Sequence, residues 1–506
     1  MNKLLITTTT CLAAMTSCTM TKKQAAETAN KPNIVIIYTD DVGYGDIGVN
    51  GAKGVVTPNI DKLAHEGIRF TDAHCSASTC TPSRYSLLTG SYAFRRDAAV
   101  LPGDAPLIID PSKGTLPSML QTAGYKTAVV GKWHLGLGNG HIDWNSEITP
   151  GAREVGFDYS FIIPATPDRV PCVFVENDRV ANLDPSDPIT VSYKHDLAGY
   201  PLGTEHPELL KMKGDLQHSG SIINGESRIG YMKGGKSALW VDEEFPTVML
   251  AKAKSFIEAN KQNPFFLYFA LPNIHVPRMP NQKFVGESTM GRRGDDIAEM
   301  DWCTGQLIKV LNDLGLSENT LVIFSSDNGP ILDDGYDDKA VELLGDHKPG
   351  GVYRGSKYSV YEAGTRVPTI VYWPGHVKSG VSNALLSQVD LYASLAKLVG
   401  LKVKSGDAPD SNDLLDTWLG KSQKGRDIML EEAYTFGLRM NDWKYIAPVE
   451  NTPPDWLKNK DIESGLKNEA QLYNLKTDVV ESKNVAQENP GVLKEMEKTL
   501  EEIKNQ

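Results

Sequence analysis

Ile34-Val35-Ile36-Ile37-Tyr38, followed after Thr39 by Asp40-Asp41, is the stretch from which the architecture can be read. An unbroken apolar run rich in β-branched side chains fits a strand buried on both faces, not one that alternates toward water. Two carboxylates then stand just past its carboxyl end. The arrangement returns three times: Thr127–Val130 leads into Lys132 and His134, Phe265–Ala270 into His275, and Leu321–Phe324 into Asp327-Asn328. Thr369–Tyr372 is a fifth apolar run. Between the runs, Ile60–Glu66 stops at Gly67, Leu116–Thr122 lies between Thr115 and Gly124, and Ile297–Leu314 stops at Gly315, each with helical spacing. Strand and helix alternate, so the fold class is α/β, a large mostly parallel sheet sandwiched by helices. Sheets of this kind build their sites at strand carboxyl ends. Four polar clusters placed there predict one shared site.

The remainder of the 506 residues is arranged around that unit. From Leu401 the character changes. Val403–Asp416 reads as a connection, Ile428–Ala433 and Trp443–Pro448 as short strands, and Pro490–Asn505 as an amphipathic helix. Residues 32–400 are therefore expected to form the site-bearing domain and 401–506 a smaller C-terminal α+β subdomain. Val180–Trp240 carries many turn residues and no strong period, which predicts loops over the site face. At the other end, Lys3, the weakly apolar Leu4–Met15 and Met15-Thr16-Ser17-Cys18 resemble a lipoprotein leader. The expectation is a signal peptide over 1–17, a lipidated Cys18 and a tether over 18–31. The chain would then be exported to the periplasm or the bacterial outer surface, touching membrane only through that anchor. A formal charge of −12 argues against nucleic acid as a general partner and requires any anionic substrate to find a local cationic pocket. Of six cysteines, setting aside Cys11, Cys18 and Cys80 leaves Cys75, Cys172 and Cys303, an odd scattered remainder that reads as core and not as a disulfide framework.

Cys80-Thr81-Pro82-Ser83-Arg84, continued by Leu87, Thr89 and Gly90, carries the chemistry. Pro82 in a first turn and Gly90 at the exit read as a short helix with Cys80 at its N-terminal edge, where backbone N–H groups and the helix dipole attract an anion. Cys-x-Pro alone would be an ordinary capped helix with a buried thiol. The full string resembles the signature of the type I sulfatases, whose cysteine is oxidised to Cα-formylglycine. Asp40-Asp41-Val42-Gly43-Tyr44-Gly45-Asp46, Ser325-Ser326-Asp327-Asn328-Gly329 and Gly131-Lys132-Trp133-His134-Leu135-Gly136 match further motifs of that family, as does Arg354-Gly355-Ser356-Lys357 with Glu362-Ala363-Gly364. Ser356 and Ala363 are mild departures from its usual glycines, and Pro272-Asn273 stand where some relatives carry an acid and a second histidine.

By their chemistry alone, Asp40, Asp41, Asp327 and Asn328 offer oxygen donors to a hard cation such as Ca²⁺ or Mg²⁺. The resemblance implies one calcium ion, with an oxygen of modified Cys80 as a further ligand. It also implies an alkaline-phosphatase-like fold and a maturation partner, either a formylglycine-generating or an anaerobic sulfatase-maturing enzyme. The implied mechanism has the aldehyde hydrate at residue 80 attack sulfur with help from Asp327, His275 protonate the leaving oxygen, and His134 deprotonate the second hydroxyl to expel sulfate. Arg84, Lys132 and Lys357 balance charge. The implied substrate is a sulfated saccharide, with galactose or N-acetylgalactosamine 6-sulfate the leading expectation. Asp168 and Arg169 in Pro164–Pro171, and Asp346 and His347 in Leu343–His347, lie in strings that resemble bacterial glycan sulfatases, and are equally readable as sugar contacts or loop salt bridges. Two rivals stand beside this reading: a phosphomonoester or phosphonate-ester hydrolase of the same fold, and a catalytically silent glycan-binding lipoprotein.

Overall fold

The computed structural model describes residues 31–450, 457, 460 and 462–506. The expected leader over 1–17, Cys18 and all of the expected tether except Lys31 lie outside the described residues. A ten-stranded sheet forms the centre. Its strands are β1 (Asn33–Thr39), β2 (Ile68–Phe70), β3 (Lys126–Lys132), β4 (Tyr159–Ile163), β5 (Val175–Glu176), β6 (Arg179–Val180), β7 (Phe265–Ala270), β8 (Thr320–Ser326), β9 (Thr369–Tyr372) and β10 (Gly380–Ser382). They run in the order β10-β2-β9-β8-β1-β7-β3-β4-β5-β6. β1 lies at the middle, parallel to β7 on one side, where Ile36 faces Tyr268, and to β8 on the other, where Ile36 faces Ile323. Every residue of β1 is buried, which is why its sequence is an apolar run and not an alternation. The fifth run, β9, joins the sheet antiparallel to β8 and β2.

Helices cover the sheet: α1 (Pro58–Glu66), α2 (Cys80–Thr89), α3 (Leu116–Thr122), α4 (Phe245–Asn260), α5 (Gly291–Asp313) and α6 (Leu391–Leu398). α5 begins six residues before the apolar period that announced it. Its first turns bury charges instead of hydrocarbon. Arg293 donates to Asp46 at 2.7 and 2.9 Å, and Asp295 accepts from Gly286 N and Ser288 N, each at 2.9 Å. A period count cannot register such paired polar burial.

The chain end forms a separate antiparallel sheet of β11 (Ile428–Glu432), β12 (Phe436–Met440), β13 (Trp443–Ile446) and β14 (Gln471–Asn474). α7 (Pro490–Lys504) buries Met496 and Leu500 against Leu430, Leu438, Tyr445 and Leu472 of that sheet. Ala408, Trp418 and Leu419, in the connection, pack into the core of the large unit instead. Val180–Trp240 is mostly loop, with two short antiparallel pairs (Thr190–Ser192 with Tyr231–Lys233, and Ile222–Ile223 with Glu226–Ser227). Among the described residues no helix is long and apolar enough to cross a membrane, and Cys75, Cys80, Cys172 and Cys303 are free and buried.

Candidate active site

The carboxyl ends of β1, β3, β7 and β8 bring the four polar clusters together under the N-terminus of α2. All ten residues of α2 are buried, and the helix exits through Gly90 at φ +64°. Cys80 Sγ lies 3.3 Å from His134 Nδ1. His134 Nε2 stands 2.8 Å from the Leu101 carbonyl oxygen. A carbonyl can only accept, so Nε2 carries the proton and the Nδ1 lone pair faces residue 80. Burial, then Lys132 and Arg169, hold His134 well below the usual histidine range. The imidazole is a neutral base aimed at the nucleophile position. Burial raises the Cys80 thiol against the pull of Lys132 and Lys357, so the unmodified side chain stays a protonated, weak nucleophile.

Gly131 shows why the Lys132 motif starts with glycine. At φ +120° a Cβ there would sit 1.9 Å from the Ala270 carbonyl oxygen of β7. The close approach lets β3 deliver Lys132 to the strand end, where its Nζ donates to Asp40 Oδ2 at 2.6 Å. Arg84, one turn into α2, donates from Nε to Asp327 Oδ2 at 2.9 Å. Asp327 Oδ1 accepts from Asp41 N at 3.3 Å, and Lys357 Nζ donates to Asp41 Oδ2 at 2.8 Å and Asp334 Oδ2 at 3.0 Å. Burial opposes ionisation of Asp327, yet Arg84, Lys132 and Lys357 hold its carboxyl below the usual range. Asp40 goes the other way. Burial and then Asp327 push it well up against Lys132.

These groups fit a hard cation. Asp40 Oδ1 and Asn328 Oδ1 are both buried with no hydrogen-bond partner, an expensive state for two oxygens unless something else meets them. Ligand atoms of Asp40, Asp41 and His275 also lie within 4.8 Å of one another. The donors available from Asp40, Asp41, Asp327 and Asn328 are all oxygen, which suits calcium or magnesium over zinc. The second acidic group, Asp72, His74 and Glu362, is already saturated by cations. Glu362 alone pairs with Arg366 at 2.6 Å and with Arg439 and Lys444 at 3.0 Å.

A cavity of about 390 Å³ opens above this floor. Cys80, His275 and Lys357 line it, together with Asp168, Arg169, Gln217 and His218 and with Glu432, Ala433 and Tyr434. Arg169 Nη1 donates to Asp168 at 2.9 Å, and His218 stands between Asp168 Oδ2 at 3.2 Å and Asp215 Oδ1 at 2.8 Å. Both carboxylates can only accept, so His218 is doubly protonated, and its pKa is raised against burial by these two bonds. Burial, with Lys357 next, lowers His275 to about 4. Asp168 and Arg169 thus reach the cavity, whereas Asp346 and His347 do not. Asp346 is exposed. His347 is buried, with Nε2 on Asp46 Oδ1 at 2.8 Å and Nδ1 accepting from Lys53 N at 3.1 Å. It pins two loops together. His218, Asp334 and Tyr434 are cavity residues that sequence reasoning missed. The one available signal was the turn-rich Val180–Trp240 segment, which holds His218.

The chain matches the family model described as Sulfatase over residues 32–401. It is 48% identical over 97% of its length to an N-acetylgalactosamine-6-O-sulfatase of Bacteroides thetaiotaomicron, of which it covers 97%. Human arylsulfatase A is 32% identical, across 79% of this chain and 70% of that one. Among solved structures, one from work on glycosaminoglycan metabolism by B. thetaiotaomicron superposes with a TM-score of 0.92 at 49% identity, covering 94% of this chain and all of the other.

Proposed function

The chain belongs to the sulfatase family and is a sulfuric ester hydrolase of alkaline-phosphatase-like fold, and from that premise we propose that it removes 6-sulfate from galactose or N-acetylgalactosamine units of a glycan. The sulfate half rests on one observation: a protonated-donor floor of Arg84, Lys132 and Lys357 around residue 80, with a neutral imidazole 3.3 Å from its side chain. The sugar half rests on the B. thetaiotaomicron relative and on the polar lining of Asp168, Arg169 and His218. The leader-like residues 1–17 with Cys18 support export to the periplasm or outer surface, where such polymers are met.

Asp40, Asp41, Asp327 and Asn328 would hold the cation, calcium by family precedent, which supplies electrophilic stabilisation of the sulfate oxygens when bound. Formylglycine made from Cys80 by a maturation enzyme would supply two oxygens on one carbon, which neither serine nor cysteine can. Arg84 and Lys132 hold Asp327 ionised, and Lys132 keeps Asp40 in place through its bond to Oδ2. Lys357, on the cavity wall, is positioned to meet a transferred anionic group. His134 Nδ1 is set to take a proton from the side chain at position 80, because Leu101 keeps the other nitrogen protonated. His275 would donate to the leaving oxygen. In the free enzyme its low pKa leaves it neutral, so the negative sulfate oxygens must supply the charge that draws the proton onto it.

That role makes a leaving-group prediction. His275→Ala should cost about 10²–10⁴-fold on a sugar sulfate, whose alkoxide must be protonated, and far less on an aryl sulfate with an acidic phenol. Equal losses on both esters would remove His275 from the acid role. The functional reading itself is tested by kcat/KM for an aryl sulfate, for the 6-sulfates of galactose and N-acetylgalactosamine, for their 2-, 3- and 4-sulfated isomers where these exist, and for the 6-phosphates. The 6-sulfated sugars should lead, by up to about ten-thousand-fold over a substrate that leaves the buried polar lining unpaired. An aryl ester that ties or wins overturns the glycan assignment. A leading phosphate ester restores the phosphomonoesterase rival.

A further inference from the structure

Leu101 is a loop residue, yet its carbonyl decides which nitrogen of His134 carries the proton. Its own N–H reaches Thr81 Oγ1 at 3.4 Å, beyond the ordinary range of about 2.7–3.2 Å, so that bond holds it weakly. A stronger tie lies two residues on. Gly103 N donates to the Tyr193 hydroxyl at 2.9 Å, and that hydroxyl donates to the Val170 carbonyl oxygen at 2.5 Å. Gly103 and Val170 are both buried, so these two backbone groups need a partner inside the protein. One phenol oxygen thus joins the segment that holds the base to the segment that carries Arg169.

The surroundings are shaped for this contact. Gly103 packs so closely that a Cβ there would stand 2.0 Å from Val170 O and 2.7 Å from the Tyr193 hydroxyl oxygen. From another direction, a Cβ on Gly230 would meet Val170 Cγ2 at 2.8 Å and Tyr193 Cε1 at 3.0 Å. Tyr193 directly follows Thr190–Ser192, which pairs with Tyr231–Lys233. Val170 N donates to Ile229 O at 3.2 Å, and Ile229 N to Asp168 O at 2.7 Å. Both partners of the phenol are therefore fixed by the same stretch of the turn-rich Val180–Trp240 segment. Arg169, next to Val170, is also one of the charges that hold His134 below the usual histidine range. A phenylalanine would keep the ring and its packing, and the hydroxyl alone makes the link. Accepting the base role given to His134 above, we propose that Tyr193 is a positioning residue for that base. Its hydroxyl clamps the Leu101–Gly103 segment against Val170, so that the Leu101 carbonyl stays on His134 Nε2 while Nδ1 takes the proton whose removal releases sulfate.

The test compares the parent, Tyr193→Phe and His134→Ala, first as mature full-length enzymes acting on an aryl sulfate. His134 acts after the ester is broken, so Tyr193→Phe should lower kcat and KM together and leave kcat/KM unchanged. The fall in kcat should be about 10- to 100-fold, the range seen when a group that orients an active-site residue is lost. Phenol should then appear in a burst, stoichiometric with mature sites, ahead of the slowed steady state. A second readout needs no maturation. In the thiol form labelled with ¹⁵N-histidine, the His134 Nε2 proton should exchange with water about tenfold faster in Tyr193→Phe, because its acceptor is no longer held. The signal missing from His134→Ala assigns that proton. A tyrosine that merely supports the fold would lower the Tm, produce no burst and leave the exchange unchanged. That result, or a phenylalanine variant unable to fold, overturns the clamp. If His134→Ala keeps the parent's kcat, the base reading falls and the clamp with it. A slow His134→Ala beside an unaffected Tyr193→Phe rejects the clamp alone.

Discussion

Alanine in place of Cys80 is expected to leave a protein that folds like the parent and turns over no sulfate ester, a loss on the order of 10⁴-fold or more. The fold should survive because Cys80 Sγ makes one polar contact, to His134 Nδ1, and α2 is held by the burial of all ten of its residues. Activity should not, because the donors around residue 80 are arranged for an oxygen nucleophile that nothing else can replace. The same loss should follow expression in a host without a maturation enzyme. There the buried thiol is held above its usual pKa and offers neither a thiolate nor a second oxygen. Peptide mass spectrometry across residue 80, set against specific activity, gives the measurement. Activity should scale with the aldehyde fraction. Full turnover by material shown to carry only thiol would reject both the modification and the mechanism, and a stoichiometric aldehyde would already dispose of the silent-binder rival.

How far the sequence carried this reading differs from residue to residue. β1, β3, β7 and β8 were legible because central parallel strands are buried on both faces, and a run such as Phe265–Ala270 has no other compact explanation. Polar residues directly after such runs marked the site for the same reason. They sit where the sheet ends, and the sheet itself is visible in the pattern. The Cys80 helix was legible from Pro82 and Gly90 and not from any period, since a helix buried all round shows none. His218, Asp334 and Tyr434 were illegible. Each is a single residue in a loop, brought to the cavity by contacts distant in sequence, such as His218 with Asp168 and Asp334 with Lys357, or by a left-handed turn, and no local spacing encodes that. His347 shows the converse. A histidine beside an acid reads alike whether it faces a sugar or a buried partner, and only the fold reveals that Asp46 and Lys53 occupy it.

Asp327→Asn should separate the cation's role from that of the ion pairs around it. In the parent, Asp327 answers Arg84 at 2.7 Å and Lys132 at 3.7 Å, with every partner fully buried. Asparagine keeps the volume but has one acceptor oxygen, so it can accept from Arg84 or from Asp41 N but not at both positions, and it withdraws a negative charge. Arg84 and Lys132 are then left with Asp40 as the nearer remaining carboxylate, and breaking a buried pair in this way costs about 3–5 kcal/mol. The variant should therefore melt below the parent when both are chelated. Adding calcium should widen that gap, because a ligand that binds only the native state stabilises it by mass action and the variant has lost a donor oxygen. The parent's Tm should rise with calcium and fall with chelator, while the variant's should hardly move. Turnover should drop by about 10³-fold or more, as expected when preorganised charge is removed from a buried site. A merely structural Asp327 would lower both curves by the same amount and leave their calcium response parallel. A variant that keeps the parent's calcium-dependent shift would therefore exclude Asp327 as a ligand, and stoichiometric zinc in active enzyme would exclude the oxygen-donor calcium site altogether.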